Sequence, residues 1–184
     1  MPSPPPILLK PITTEMLADL QAMYEASTDY FRTFTGAPVS PLKAANDYNQ
    51  LLENDDRAIM AIWWNEERII GSLDFRFNHP QEGVLWLGAL ILQDETPISR
   101  DEIGSWAVRI LQEWLRIATN FTEIRTAVPL NTPELVRFWQ SLGFELTPEL
   151  LRQPIAGKFI RFGIFRQRIV PATNISSQKD TSSP

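Results

Sequence analysis

Residues 99–120, "SRDEIGSWAVRILQEWLRIATN", decide how the rest of the chain is read. Apolar residues recur at helical spacing from Ile103 through Trp106, Ala107, Ile110 and Trp114 to Ile117. This predicts one amphipathic helix with those residues along a single stripe. Ser99 and Glu102 stand ahead of the stripe with the spacing of a capping box, in which a serine side chain accepts from the backbone N–H three residues on. A helix N-terminus carries unpaired N–H groups and about half a positive charge, so it suits an anion. Gly104 would let a phosphate come close to the backbone. Asp101 and Glu102 oppose that use and Arg100 favours it. The stretch therefore reads as a helix cap, as part of a phosphate loop, or as both, because a cap occupies only some of the free amides.

The flanks supply the rest of a layered fold. Upstream, "VLWLGALIL" (84–92) is an apolar strand in which Gly88 and Ala89 interrupt bulky residues, which predicts a bulge or a close backbone approach. A bulge there would splay this strand from its parallel neighbour and leave amides for an extended ligand. Before it, "AIMAIWW" (58–64) and "IIGSLDFRF" (69–77) flank "NEER" as a hairpin. Adjacent Trp63 and Trp64 point to opposite faces, so both faces need cover. "ILLKPIT" (7–13) is a first strand. A helix with Met16, Leu17, Leu20 and Met23 on one face follows. "STDYFRTFTGAPVS" (27–40) reads as an aromatic-rich loop, and "PLKAANDYNQLLEN" (41–54) as a second helix. Downstream come the strand "IRTAVPL" (124–130) and the helix "PELVRFWQSL" (133–142), stopped by Gly143. "FEL" and "KFIRFGIFRQRI" are the closing strands. The order β-α-α-β-β-β-α-β-α-β-β gives an α/β domain with a mixed central sheet and helices on both faces. A single domain spans 7–170. Residues 1–6 are a flexible N-terminus and 171–184 a disordered polar tail. "TPELVR" (132–137) and "TPELLR" (147–152) are a chance likeness, not a repeat.

Composition excludes several classes. The chain of 184 residues has no cysteine and one histidine, His79, so thiolate metal sites, a cysteine nucleophile and histidine metal clusters are ruled out. A net charge of −5 argues against nucleic-acid binding, which needs clustered Lys and Arg. No apolar run reaches a membrane span, and "MPSPPPILLK" lacks the basic and apolar regions of a secretory signal. The expectation is a cytoplasmic protein, with Asn174-Ile175-Ser176 a chance match to a glycosylation site.

The two halves of the pattern together resemble the GNAT superfamily of acyl-CoA-dependent N-acyltransferases. The resemblance is carried by Ser99-Arg100-Asp101-Glu102-Ile103-Gly104-Ser105 against the family's Arg/Gln-x-x-Gly-x-Gly/Ala loop, and by "NTPELVRFWQSLGFEL" (131–146) against its second signature. In the first, Gly104 matches, Glu102 replaces a glycine and the basic Arg100 stands one place late. In the second, Asn131, Leu142, Gly143 and Phe144 match, and Trp139 stands where many members have tyrosine. The resemblance implies a GNAT-like, mostly antiparallel sheet and direct attack of an amine on acetyl-CoA, with no metal and no covalent enzyme intermediate. It implies the diphosphate on the amides of Arg100, Glu102, Ile103, Gly104 and Ser105. The pantetheine would lie along Leu90, Ile91 and Leu92 with Asn131 bonded to it, and Phe138 and Trp139 would pack near the thioester.

Each residue also has a plainer reading. Arg100 is equally a solvated surface residue, Asn131 a helix cap before Pro133, and Trp139 core. An indole N–H donates a hydrogen bond but does not shuttle protons, so Trp139 does not replace a tyrosine acid. Amines with a pKa near ~10 need deprotonation at pH 7. Asp74 is the candidate base, with a salt bridge to Arg76 as its alternative. Glu25, Asp29 and Tyr30 are candidates to line the site of the amine acceptor, a small molecule or peptide. His79 is a turn residue. Two rival functions stand beside the acetyltransferase. One is an inactive acyl-CoA-binding or regulatory module, and the other an interaction protein that pairs, for example as a homodimer, through its closing strands.

Overall fold

The structure is a computed structural model and describes residues 5–172. The expected N-terminal and C-terminal tails lie largely outside the described residues, as does Asn174. The strands are β1 (Ile7–Pro11), β2 (Arg57–Trp64), β3 (Arg68–Phe77), β4 (Val84–Leu92), β5 (Glu123–Pro129), β6 (Glu145–Ile155) and β7 (Lys158–Arg168). The helices are α1 (Leu17–Glu25), α2 (Thr28–Phe34), α3 (Lys43–Glu53), α4 (Arg100–Ala118) and α5 (Pro133–Ser141). One sheet runs β1-β2-β3-β4-β5-β7-β6, antiparallel throughout except for β4 and β5, which α4 joins as a parallel crossover. The mixed, mostly antiparallel sheet is the expected one.

Two cores lie on the two faces. α4 and α5 cover Ile62, Leu73, Phe75, Leu85, Leu87, Ile124, Val128 and Phe165. α1, α2 and α3 cover Ile59, Ala61, Ile69 and Ile91. Trp63 and Trp64 divide between these cores, as alternation along a strand requires.

Three features differ from the sequence reading. Residues 28–34 are not loop but helix α2. Its N–H groups at Thr28 and Asp29 are capped from a distance by Asp94, at 3.0 and 3.1 Å. Tyr30 stacks on Phe34 within the helix, ring centroids 4.6 Å apart. A seven-residue helix of this kind is held by tertiary contacts, which local spacing does not reveal. On α4 the buried stripe is Ile103, Ala107, Val108, Leu111 and Leu115, rotated from the expected one, and Trp114 and Ile117 are exposed. That helix is apolar over more than half its circumference, and the sheet takes the face with the smaller side chains. The likeness of "TPELLR" to "TPELVR" is chance, as expected: the first lies in strand β6, and the second spans the N-cap of α5 and its first residues. The N-cap of α5 is Thr132, one residue beyond Asn131.

β6 is an edge strand, and it carries Pro148 and Pro154. Proline lacks the N–H needed to extend a ladder and is a usual guard on an exposed edge. Leu146, Leu150 and Phe159 are nonetheless exposed on this closing hairpin. No described helix is long and apolar enough to cross a membrane.

Candidate active site

The site begins at one extra residue in β4. Asp74 on β3 faces Ala89 and Phe75 faces Leu87, so Gly88 is left over as a bulge. The bulge reverses the strand's alternation. Before it, Leu85 and Leu87 face α4; after it, Leu90 and Leu92 do, while Ala89 and Ile91 turn to the α1–α3 face. The bulge also ends pairing with β5. The ladder runs from Val84–Glu123 to Leu87–Thr126 and stops, and Ala127 to Pro129 of β5 pair only with β7. β4 and β5 therefore splay from Gly88 onward. This is the opening that "LGALIL" predicts.

On the α4 side the splay is walled by Leu90 and Leu92, the start of α4 and Phe138 of α5. Ser99 caps α4: its Oγ accepts the Glu102 N–H at 3.4 Å, and its carbonyl accepts from Glu102 and Ile103 at 3.1 Å each. The capping half of the box is thus present. The N–H groups of Arg100 and Asp101 have no acceptor within the helix. Gly104 is inside the helix and buried, with Ser105 after it. A Cβ on Gly104 would lie 3.1 Å from the Phe138 ring and 3.3 Å from Leu90, so its glycine makes room for those side chains. Arg100 reaches Asp29 at 3.2 Å and Asp94 at 3.6 Å. Burial pushes the Asp94 carboxyl up, but the bonds from Thr28 and Asp29, with Arg100, outweigh it and hold it below the usual range. Glu102 is exposed.

Trp139 is core, 7% exposed, edge-on to Phe138 and Phe144. Asn131 is exposed in the turn before α5. The second signature thus forms the turn, helix and stop that position Phe138. Gly143 adopts φ +85°, the expected left-handed stop.

On the opposite face, a cavity of about 570 Å³ opens against the same bulge. Gly88, Ala89 and Ile91 form its floor with Trp86, and Tyr24, Tyr30 and Phe31 rise from the helices. The loop after α2 abuts the β6–β7 turn. Gly36, at φ +70°, leaves no space there for a side chain, since a Cβ would sit 2.8 Å from that of Ala156.

An ion network lines one wall. Arg57 donates from Nε to Asp74 Oδ1 at 3.0 Å and from Nη2 to Asp74 Oδ2 at 2.5 Å. It also reaches Asp47 at 3.3 Å and Gln50 at 2.6 Å. Asp47 further accepts from Lys43 and from the buried Tyr24 hydroxyl at 2.9 Å. Burial, and for Tyr24 the neighbouring Asp47, pushes the Tyr24 and Tyr30 hydroxyls far above their ordinary range, so both keep their protons. Asp74 thus pairs with Arg57, not with Arg76, which instead faces Asp56. The reason is register: Arg76 stands opposite Arg57 across the strands, and the guanidinium of Arg57 reaches back to Asp74.

Three candidates for the acceptor site separate. Tyr30 faces this cavity, Glu25 lines a neighbouring one of about 460 Å³, and Asp29 is tied to Arg32 and Arg100. The sequence reading missed Tyr24, Asp47, Arg57 and Trp86. Asp47 gives no signal, since it is the one buried acid on an otherwise polar helix face. The others become visible only once the register of β2, β3 and β4 is known. His79 lies in the β3–β4 turn with its ring edge-on to Trp86, centroids 5.8 Å apart.

No protein-family model and no curated protein matches the sequence. Solved structures do match its fold. An acetyltransferase from Thermus thermophilus superposes with TM-score 0.73 at 16% identity, over 89% of this chain and 97% of that one. A spermidine N-acetyltransferase from Vibrio cholerae, in complex with CoA and spermine, gives 0.73 at 12% identity, over 89% and 95%. A probable GNAT-family acetyltransferase from Chromobacterium violaceum gives 0.72 at 12% identity, over 91% and 87%. The chain has the GNAT fold.

Proposed function

We propose that the protein is an N-acetyltransferase that moves an acetyl group from acetyl-CoA to an amine. One observation carries this reading: the β4–β5 splay and the cavity on the other face meet at the Gly88 bulge. Two ligands can therefore approach one point from opposite sides of the sheet. The amide edge of β4 from Gly88 to Leu92 suits the extended, amide-bearing arm of CoA. Leu90, Ile91 and Leu92 would lie along it, with Asn131 at its side and Phe138 near the thioester.

The diphosphate end is less well furnished than the family loop. The free amides of Arg100 and Asp101 would receive it with help from the helix dipole. Those of Ile103, Gly104 and Ser105 would contribute only if the first turn of α4 opened.

Acetyl-CoA would supply an acyl group on a thiol that leaves readily, its pKa being roughly 8.5. The chain's own residues would present the amine and exclude water. Tyr30, Phe31 and Trp86 offer apolar cover, and the Tyr30 hydroxyl remains a proton-bearing donor. Asp74, with both oxygens engaged by Arg57, fits a positioning residue better than a general base. Trp139 supports the wall of the splay. The reading calls for no metal ion.

A second reading is an acyl-CoA-binding module without turnover. It is favoured by Arg100, already held by two carboxylates, and by Trp139 in place of an acid. For either reading the compartment we propose is the cytoplasm. Thiol release from acetyl-CoA across a panel of primary amines separates them. The acetyltransferase gives amine-dependent release with a matching acetylated product. Binding of acetyl-CoA without release on any amine would favour the module.

A further inference from the structure

One row of side chains crosses this face of the sheet, and three of its members, Arg57, Arg76 and Trp86, line the cavity. Arg57, Arg76, Trp86 and Arg125 stand directly opposite one another on β2, β3, β4 and β5, so all four leave the same face of the sheet. Two of the three arginines are fully employed. Arg57 is clamped by Asp74, Asp47 and Gln50, and Arg125 is held by Glu123 and Glu149. Arg76 is not. Its Nε is buried and makes no hydrogen bond. Its one ion-pair partner among the described residues is Asp56, at 3.4 Å from Nε and 3.5 Å from Nη2. A charge-assisted pair normally closes to about 2.7–2.9 Å. Arg76 lines the cavity beside Trp86, within two residues of the bulge in the β4 register.

The same wall disfavours a polycation. Both carboxylates that line the cavity, Asp47 and Asp74, are already neutralised by Lys43 and Arg57. What remains is a loosely held guanidinium, an indole and aromatic rings.

We propose that the acceptor is a primary amine that carries a carboxylate on an aromatic or apolar body, and that Arg76 holds the carboxylate. This rests on the acetyltransferase reading and narrows it. The planar guanidinium matches a carboxylate through paired N–H bonds, and Trp86 and Tyr30 cover the apolar body. Asp56 is the resident counter-ion that the substrate displaces. Arg76 is a specificity-determining residue; it takes no part in moving the acyl group.

The test compares phenylalanine and tyrosine with phenethylamine and tyramine, the same amines without the carboxylate, and with spermidine. Acetyl-CoA-dependent product is measured for the wild type, Arg76→Gln and Asp56→Asn. The wild type should favour the acids by at least about 10-fold in kcat/KM. Arg76→Gln should lower kcat/KM for the acids about 10- to 100-fold, the equivalent of one charge-assisted hydrogen bond, mostly through KM. It should leave the decarboxylated amines unchanged, which also shows that the variant is folded. Asp56→Asn should lower KM for the acids. Equal use of acids and plain amines, preference for spermidine, or an equal loss on all substrates in Arg76→Gln would overturn the proposal while leaving the acetyltransferase reading standing. If no amine is acetylated and acetyl-CoA does not bind, both fall together.

Discussion

Arg57 holds both carboxylate oxygens of Asp74, and the same guanidinium reaches Asp47 on helix α3. This pairing ties the β2–β3 hairpin to the helix layer across the floor of the candidate acceptor cavity. The side chains of Arg57, Asp74 and Asp47 are 13%, 21% and 5% exposed, so removing the arginine strands Asp74 with little solvent and leaves Asp47 to Lys43 and Tyr24. Arg57→Met should lower stability by about 3 kcal/mol, as for a broken buried pair. For a chain of this length that is a fall in Tm of roughly 6–12 °C. Asp74→Asn, which keeps an acceptor for Arg57, should lower Tm less and leave amine acetylation within about threefold of wild type. Loss of turnover without loss of Tm in Asp74→Asn would make Asp74 the base.

Glu102 is exposed in the first turn of α4, beside the free amides of that helix. Glu102→Gln should tighten acetyl-CoA binding about two- to fivefold, the scale of one charge at a helix terminus. Glu102→Gly should tighten it likewise while costing about 0.5–1 kcal/mol of stability. Calorimetric titration paired with thermal unfolding separates the two effects. Unchanged affinity in both variants would show that the Glu102 charge does not act on the phosphate site.

Gly104 and Phe138 should prove strongly coupled. Gly104→Ala gains helix propensity but drives a methyl to 3.1 Å from the Phe138 ring. It should destabilise the wild type and stabilise a Phe138→Leu background by about 0.5–1 kcal/mol, a sign reversal that a double-mutant cycle in denaturant detects. Additive effects would remove the packing account of this glycine.

Asp94 gives the cap of α2 a defined pH dependence. Its carboxyl is held below its ordinary value of 3.8 in the folded chain. The stability it contributes is therefore fully present above that value and lost as pH falls through the lower folded one. The Tm difference between wild type and Asp94→Asn should be constant from pH 7 to about 5 and shrink below about pH 4. A difference that does not change with pH would contradict the assignment.

Much of the fold was legible because its signals are local. The interruption of "VLWLGALIL" by Gly88 and Ala89 announced the bulge, and Ser99 announced the cap. Gly143 announced the end of α5, and the paired tryptophans on β2 announced a covered sheet. What escaped reading depends on residues far apart in sequence. Helix α2 needs Asp94 from just beyond the far end of β4. The Arg57 network and the row through Arg76 and Trp86 need the strand register. That Gly104 also makes room for the Phe138 ring was not legible, because the contact joins α4 to α5 across the fold.

Everything proposed for the chemistry depends on the β4–β5 splay being an acyl-CoA site, and titration of the folded protein with acetyl-CoA tests it without intermediaries. Binding should be saturable and one-to-one, and it should weaken at least about tenfold in Leu90→Trp, which fills the splay. Absence of binding at millimolar acetyl-CoA, or binding that Leu90→Trp leaves untouched, would contradict it.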